Sequence, residues 1–335
     1  MAGRDMRGGA LALAGQAAAW PGRALLNLLS PGGGHGLSIM IYHRVLARPD
    51  SLFPGEIEGA TFDLQLGLLK AAFHVMPLLD AVRALRAGAL PPRAACITFD
   101  DGYADNADVA LPLLLRHGLP ATFFVASGFL DGGRMWNDTV IELVRNAPGA
   151  TLDAAALGLG RHAVADVAQR RLAIAALIGQ LKYLPMQRRL DLVALLAAAQ
   201  PCALPDDLMM SSAQVRQLLR AGMEVGAHTV NHPILAALTP QQAGDEIAAS
   251  KAALETMLEA PVRLFAYPNG KPGVDYRAEH VDMVRELGFE GAVSTAWGGR
   301  NTDLYQLPRF TPWDRDALRF QLRLAKNLAR RAERA

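Results

Sequence analysis

Short, uniformly apolar runs alternate with stretches of helical spacing along most of this chain. Residues 37–42, 74–78, 94–99, 121–126, 223–228, 263–268 and 289–294 are β-prone and almost free of charge, the pattern of buried strands. Between them Phe62, Leu66, Leu69 and Phe73 fall on one helical face. Further helices are predicted over 79–87, 107–117, 213–220, 240–259 and 278–287, three of them stopped by Gly88, Gly118 and Gly288. Seven strands alternating with helices argue for parallel β/α units.

The rhythm breaks at Ser127 and resumes only after Ser211. This segment is alanine-rich and helical, clearest over 164–184 and 185–199, with no strand signal, and it reads as an insertion into the main pattern. Residues 1–36, ending in the Gly32-Gly33-Gly34 run, read as an N-terminal extension, membrane-associated or disordered. Residues 313–335 read as a basic C-terminal helix with Leu318, Leu322 and Ala325 on its packing face.

Polar residues follow directly on four different strands: His43, the pair Asp100-Asp101, His228 and Asn269. An open doubly wound sheet would show the same alternation. Strand ends converging on one polar mouth favour instead a distorted seven-stranded (β/α) barrel over 37–312, carrying the insertion 127–211 above that mouth.

Composition narrows the chemistry. The 335 residues are 51% hydrophobic, enough for a large core. A net charge of +2 gives no footprint for nucleic acid. Two cysteines, Cys96 and Cys202, are too few for a disulfide framework or a cysteine zinc site. No run of eighteen apolar residues is present, so a spanning helix is not expected. The weak apolar run after Arg4 and Arg7 points to a cytoplasmic protein at the inner membrane surface, with a periplasmic location left open. The arginine-rich C-terminal helix leaves room for peripheral contact with anionic lipid.

Asp100 and Asp101 are adjacent carboxylates at a strand end, followed at once by Gly102. Such a pair repels itself unless a cation or a shared proton relieves it. Asp105-Asn106, before the next helix, has the look of an N-cap, which leaves the earlier pair free for other work. His228 and His232 stand four apart, and one turn of backbone can bring both to a single ion. Imidazole with carboxylate suits zinc, or another divalent first-row metal.

With these residues in view, the sequence resembles the polysaccharide deacetylases, the NodB-homology carbohydrate esterases. Residues Thr98-Phe99-Asp100-Asp101-Gly102 resemble their first motif, the His228 to Pro233 stretch their second, and Phe265-Ala266-Tyr267-Pro268-Asn269-Gly270 their groove-lining third. The resemblance implies that Asp101, His228 and His232 hold the metal and that Asp100 is the general base. It implies an oxyanion donor at the backbone N–H of Tyr103, and substrate contacts at Tyr267, Pro268 and Asn269.

Two departures from that pattern matter. Ala266 stands where many members carry an arginine that orients the base, with Arg263 or Arg309 as substitutes, and Arg309 is also a candidate substrate contact. No histidine follows His280, so the usual late catalytic acid is missing. The run Ile41-Tyr42-His43-Arg44-Val45 resembles the opening strand of a permuted branch, seen among poly-N-acetylglucosamine deacetylases, which makes His43 the acid. Trp136, at the entry of the insertion, is placed either on a sugar ring or in helix packing.

The expected activity is therefore removal of N-acetyl groups from a surface polysaccharide or its lipid-linked precursor. Two other functions fit the same residues: an O-acetyl carbohydrate esterase, and a glycan-binding protein on a degenerate catalytic fold.

Overall fold

The structure, a computed structural model, describes residues 23–299 and 303–335. Helix α1 (Arg23–Leu29) precedes strand β1 (Ser38–Tyr42). Helix α2 (Gly59–Ala72), β2 (His74–Val75), α3 (Leu78–Arg86) and β3 (Ala94–Phe99) follow. A π-helical turn at Asn106–Ala110 leads into α4 (Leu111–His117) and then β4 (Thr122–Val125). After the insertion come α8 (Ser212–Arg220), β7 (Glu224–Ala227), α9 (Pro240–Leu258), β8 (Leu264–Ala266), α10 (Ala278–Glu286), β9 (Gly291–Val293) and α11 (Ala317–Ala329).

The seven strands form one curled sheet in the order β1-β3-β4-β7-β8-β9, with β2 paired to the start of β3, and every pairing is parallel. Residues 307–310 link its two edges. Leu307 bridges Val293 of β9 and Phe310 bridges Met40 of β1, each in parallel register. The Phe310 N–H donates to the Ile39 carbonyl at 2.8 Å and the Ile41 N–H to the Phe310 carbonyl at 3.0 Å.

Register fixes which side chains face inward. Ile39, Cys96, Phe124, Leu264, Ala266, Val293 and Leu307 share one cluster with the inner face of α3. Met40, Ile97, Phe99, Phe123 and Phe265 point the other way, into the packing of the surrounding helices. Since side chains alternate along a strand, two residues on from Cys96, Gly226 and Leu307 the chain presents Thr98, His228 and Arg309 to the interior. Asp100 stays on that side because its N–H continues the ladder to the Tyr42 carbonyl at 2.9 Å. At the opposite end Glu224 accepts from the first amides of α3, Leu78 at 2.8 Å and Leu79 at 3.2 Å.

The insertion is not purely helical. It holds α5 (Trp136–Asn146), α6 (Val167–Leu181) and α7 (Met186–Ala198), but also an antiparallel hairpin of β5 (Thr151–Ala154) and β6 (Gly160–Ala163). Strand β6 is mostly solvent-facing and polar, so it carries no apolar run to betray it. The segment has a core of its own, in which Val140, Leu143, Leu177, Leu181 and Leu196 pack with Leu52 from the loop after β1.

The chain ends differ from expectation. Residues 1–22 lie outside the described residues, as does any reading of them as a leader or surface anchor. Over 23–36 the chain is built into the fold: Leu26 is buried, and Gly33 exchanges backbone hydrogen bonds with Leu90 at 2.7 and 3.2 Å. A side chain at Gly32 would strike the Leu90 carbonyl. Helix α11 packs through Phe320, Leu324 and Leu328, leaving Leu318 and Leu322 on the open face, the reverse of the predicted orientation. No described helix is long and apolar enough to cross a membrane.

Candidate active site

The C-terminal ends of β1, β3, β7 and β8 share one rim because their strands are parallel. Asp101 takes the left-handed backbone (φ 77°) and Gly102 follows at φ 93°, so the chain reverses straight after the acid pair. Thr229 (φ 62°), His232 (φ 50°) and Asn269 (φ 58°) are left-handed too. Each such non-glycine conformation costs on the order of 1–3 kcal/mol, and strain of this kind gathers at functional sites. The Thr229 hydroxyl accepts from the His232 N–H at 3.1 Å, closing the turn that returns His232 to His228. Glu246 of α9 clamps the same loop, accepting from Val230 N–H at 3.0 Å and Asn231 N–H at 2.9 Å.

Asp101 Oδ1 lies 3.4 Å from the Nε2 atoms of both His228 and His232. The donor atoms of the three residues are all within 4.8 Å of one another. His228 Nδ1 is 2.7 Å from the Ala266 carbonyl and must donate to it, which leaves Nε2 facing Asp101. Asp101 Oδ1 is buried without a hydrogen-bond partner among the described residues. Two imidazole nitrogens, a carboxylate oxygen and that orphaned atom fit a divalent cation held by three protein ligands.

Charge is arranged accordingly. Burial pulls the His228 imidazole down, but the facing Asp100 and Asp101 carboxylates more than offset this and hold it above the ordinary histidine range. Burial pushes His232 down to about 4, against the partial pull of Asp101. Burial alone would raise Asp101, yet the facing His228 and the neighbouring imidazoles leave it below the usual carboxylate range.

Asp100 has a different partner. Arg309, fully buried, reaches it with Nη1 to Oδ1 and Nη2 to Oδ2, both at 2.6 Å. The third arm of the guanidinium, Nε, donates to the Ser294 carbonyl at 2.9 Å. Burial raises the Asp100 carboxyl and Arg309 more than compensates, keeping it below its ordinary value. Arg309 has no face left for a sugar, which overturns its reading as a substrate contact. Arg309 is thus the arginine that orients Asp100, whereas Arg263 pairs with Glu290 at 2.9 Å.

Tyr103 is buried, and its hydroxyl lies 3.1 Å from both carboxylate oxygens of Asp138. The neighbours Gly102 and Ala104 make the bonds of its bridge to Met209, so the Tyr103 N–H points away from that segment. His43 stands exposed after β1, in electrostatic reach of Asp100 and Asp101, and Asn106 donates to its carbonyl at 2.9 Å. Asp105 does not cap the helix after it. Instead it receives Arg44 Nε at 2.8 Å and the Val45 N–H at 3.1 Å, so both residues of the expected cap brace the His43 loop.

The third motif divides. Tyr267 is fully buried, stacked on Tyr276 at 3.9 Å with its hydroxyl bonded to the Tyr305 carbonyl, and Pro268 is also buried. Their side chains serve the core, a correction to the expected sugar contacts. Asn269 does line a cavity of about 210 Å³ with Asp101, His232 and Trp136. The insertion supplies the far wall of this cavity through Trp136, Ile178, Lys182 and Arg189, so it does cover the mouth. Of these, Lys182 and Arg189 had no sequence signal, since a cation at a helix end or beside Arg188 reads as solvated. Trp313, beside His43 in a second recess, was likewise missed.

The family model for polysaccharide deacetylases matches residues 87–149 and 192–292, leaving out β5, β6, α6 and the start of α7. Among curated proteins, YxkH of Bacillus subtilis (strain 168), named as a polysaccharide deacetylase, is 22% identical over 219 residues. That match covers 65% of this chain but 50% of YxkH, so the chain spans half the length of its relative. The Streptococcus pyogenes deacetylase PplD, solved in complex with acetate, has a similar fold at TM-score 0.55 and 19% identity, covering 82% of this chain and 91% of its own. IcaB from Ammonifex degensii has TM-score 0.55 and 20% identity, covering 89% and 98%. Matched by that family model across both the acid pair and the histidine pair, this chain carries a polysaccharide deacetylase domain.

Proposed function

We propose that this protein is a metal-dependent N-deacetylase acting on an N-acetylated sugar of a surface polysaccharide or its lipid-linked precursor. The carrying observation is the orphaned Asp101 oxygen, 3.4 Å from two imidazole nitrogens and next to an Asp100 carboxylate gripped by Arg309. Asp101, His228 and His232 hold the ion, with zinc the first choice for this donor set. When bound, the ion supplies an acidified water and a Lewis-acid pull on the acetyl carbonyl.

The other roles fall to the chain. Asp100, kept ionised and oriented by Arg309, accepts the proton of the attacking water. The Tyr103 N–H faces the oxygen that gains charge as the carbonyl carbon becomes tetrahedral; one such donor is worth about 3 kcal/mol of barrier. As the C–N bond breaks, the nitrogen must gain a proton, and His43 delivers it, giving acetate and a free amine. The curled sheet, bridged by 307–310, is read as the distorted seven-stranded barrel that holds these strand ends together.

Zinc-loaded protein incubated with N-acetylglucosamine oligomers and with an O-acetylated glycan, with acetate quantified, tests this. Acetate from the first substrate supports the reading. Acetate only from the second makes the protein an esterase, and glycan binding with no acetate from either leaves a non-catalytic glycan binder.

A further inference from the structure

The cavity at the ion site does not end there. Lys182, Arg189 and Ile234 line it and also line an adjoining cavity of about 310 Å³ between the insertion and the loops after β7 and β8. The two spaces form one cleft walled by α6 and α7, whose first part lies outside the matched family segments. What distinguishes this cleft is uncompensated positive charge.

Arg189 is only 5% exposed. One face of its guanidinium covers Trp136 at 4.9 Å, and Nη1 donates to the Lys182 carbonyl at 3.0 Å. Nε is sealed from solvent with no partner, and no carboxylate pairs with Arg189 among the described residues. Burial pulls the guanidinium below the usual arginine range, and no neighbouring acid offsets it. Lys182, half-buried beside it, has no ion pair among the described residues. Of the acids lining the two cavities, Asp101 belongs to the ion site, and Asp275 accepts from the Lys271 N–H. Keeping a buried cation without its anion is costly. Proteins retain such groups where a ligand supplies the missing charge.

We infer that Lys182 and Arg189 form an anion subsite that receives a phosphate or carboxylate of the substrate while the acetyl group sits at the ion. Trp136, backed by Arg189, offers a ring for the sugar between the two. The inference rests on the deacetylase reading for the substrate's acetyl group, and it makes that substrate an acidic N-acetylated sugar. Phosphate would come from a lipid- or nucleotide-linked sugar, carboxylate from an acidic polysaccharide.

Binding tests it without relying on turnover. Calorimetry on the full ion-loaded chain, in a His43→Ala background, compares N-acetylglucosamine, N-acetylglucosamine 1-phosphate and an N-acetylated aminouronate. At least one acidic probe should bind tenfold or more tightly than the neutral sugar, and the preferred acid distinguishes the two sources. Lys182→Gln and Arg189→Gln should each erase most of that ratio, Lys182→Gln should leave neutral-sugar affinity within twofold, and Arg189→Lys should restore part of what Arg189→Gln removes. Equal affinity for all three probes overturns the inference, as does a ratio that survives both substitutions. If Arg189→Gln fails to fold, the half-exposed Lys182→Gln decides alone. Acetate release with no acidic preference would spare the deacetylase reading and remove only this one.

Discussion

Arg309 and Asp100 are joined by two parallel 2.6 Å hydrogen bonds across 209 residues of sequence, both side chains buried. Such a fork-to-fork pair fixes the plane of the carboxylate as well as its charge. It ties the segment that bridges the sheet edges to the proposed base. One guanidinium thus serves both fold and chemistry.

Breaking the pair should be expensive. Arg309→Met leaves Asp100 buried and unpaired, and removal of one partner of a buried pair costs about 3–5 kcal/mol. Urea unfolding should show a loss of this size, and Arg309→Lys an intermediate one with turnover still reduced. An Arg309→Met protein as stable as the native one would mean that Asp100 is neutralised by something else.

Ion uptake should release a proton from a specific residue. In the ion-free chain the facing carboxylates hold His228 above the ordinary histidine range, whereas burial holds His232 down to about 4. Binding of zinc near pH 6.5 should therefore expel a proton from His228 rather than from His232, measured by calorimetry in buffers of differing ionisation enthalpy. His228→Ala should bind no stoichiometric zinc. Zinc binding at pH 6.5 with no proton release would show that the two carboxylates do not hold His228 protonated.

Asp138 offers a stability test. Burial and the Asp101 charge push its carboxyl up to about 7, against the opposing pull of Arg44 and the Tyr103 hydrogen bond. The folded state then holds a proton that the unfolded chain has lost between pH 3.8 and 7, so stability falls as pH rises through that window. Asp138→Asn keeps an acceptor for Tyr103 and removes the ionisation. The variant should gain on the native protein from pH 5 to pH 8 by about 2–4 kcal/mol, read as the change in urea midpoint. A constant difference across that range would mean that Asp138 titrates normally.

His43 carries the leaving-group prediction. His43→Ala should bind zinc as the native protein does, because it is outside the Asp101, His228 and His232 set. Turnover should drop by about two to four orders of magnitude, the usual share of a general acid. Near-normal acetate release would move the acid role to another residue.

The two motifs at the ion site were legible because each is local. Asp100 and Asp101 are neighbours, and His228 and His232 are separated by one turn, so spacing alone brings the atoms close. The apolar runs showed the central strands for a related reason, since a strand covered on both faces must be apolar throughout. The β5–β6 hairpin escaped because a solvent-facing ribbon needs no such run. Tyr267 was misplaced because a motif shows that a residue follows a strand, not whether its ring turns to the groove or to Tyr276.

Local order in the sequence therefore determined the β/α alternation, the acid pair and the histidine pair. Tertiary structure alone decided three further things: that Arg309 rather than Arg263 reaches Asp100, that Asp105 and Asn106 brace His43 instead of capping a helix, and that Lys182 and Arg189 face the ion site. Each of these is a contact between residues distant in sequence. Its existence depends on strand register and on where the insertion lands, neither of which leaves a periodic trace in the residues that make the contact.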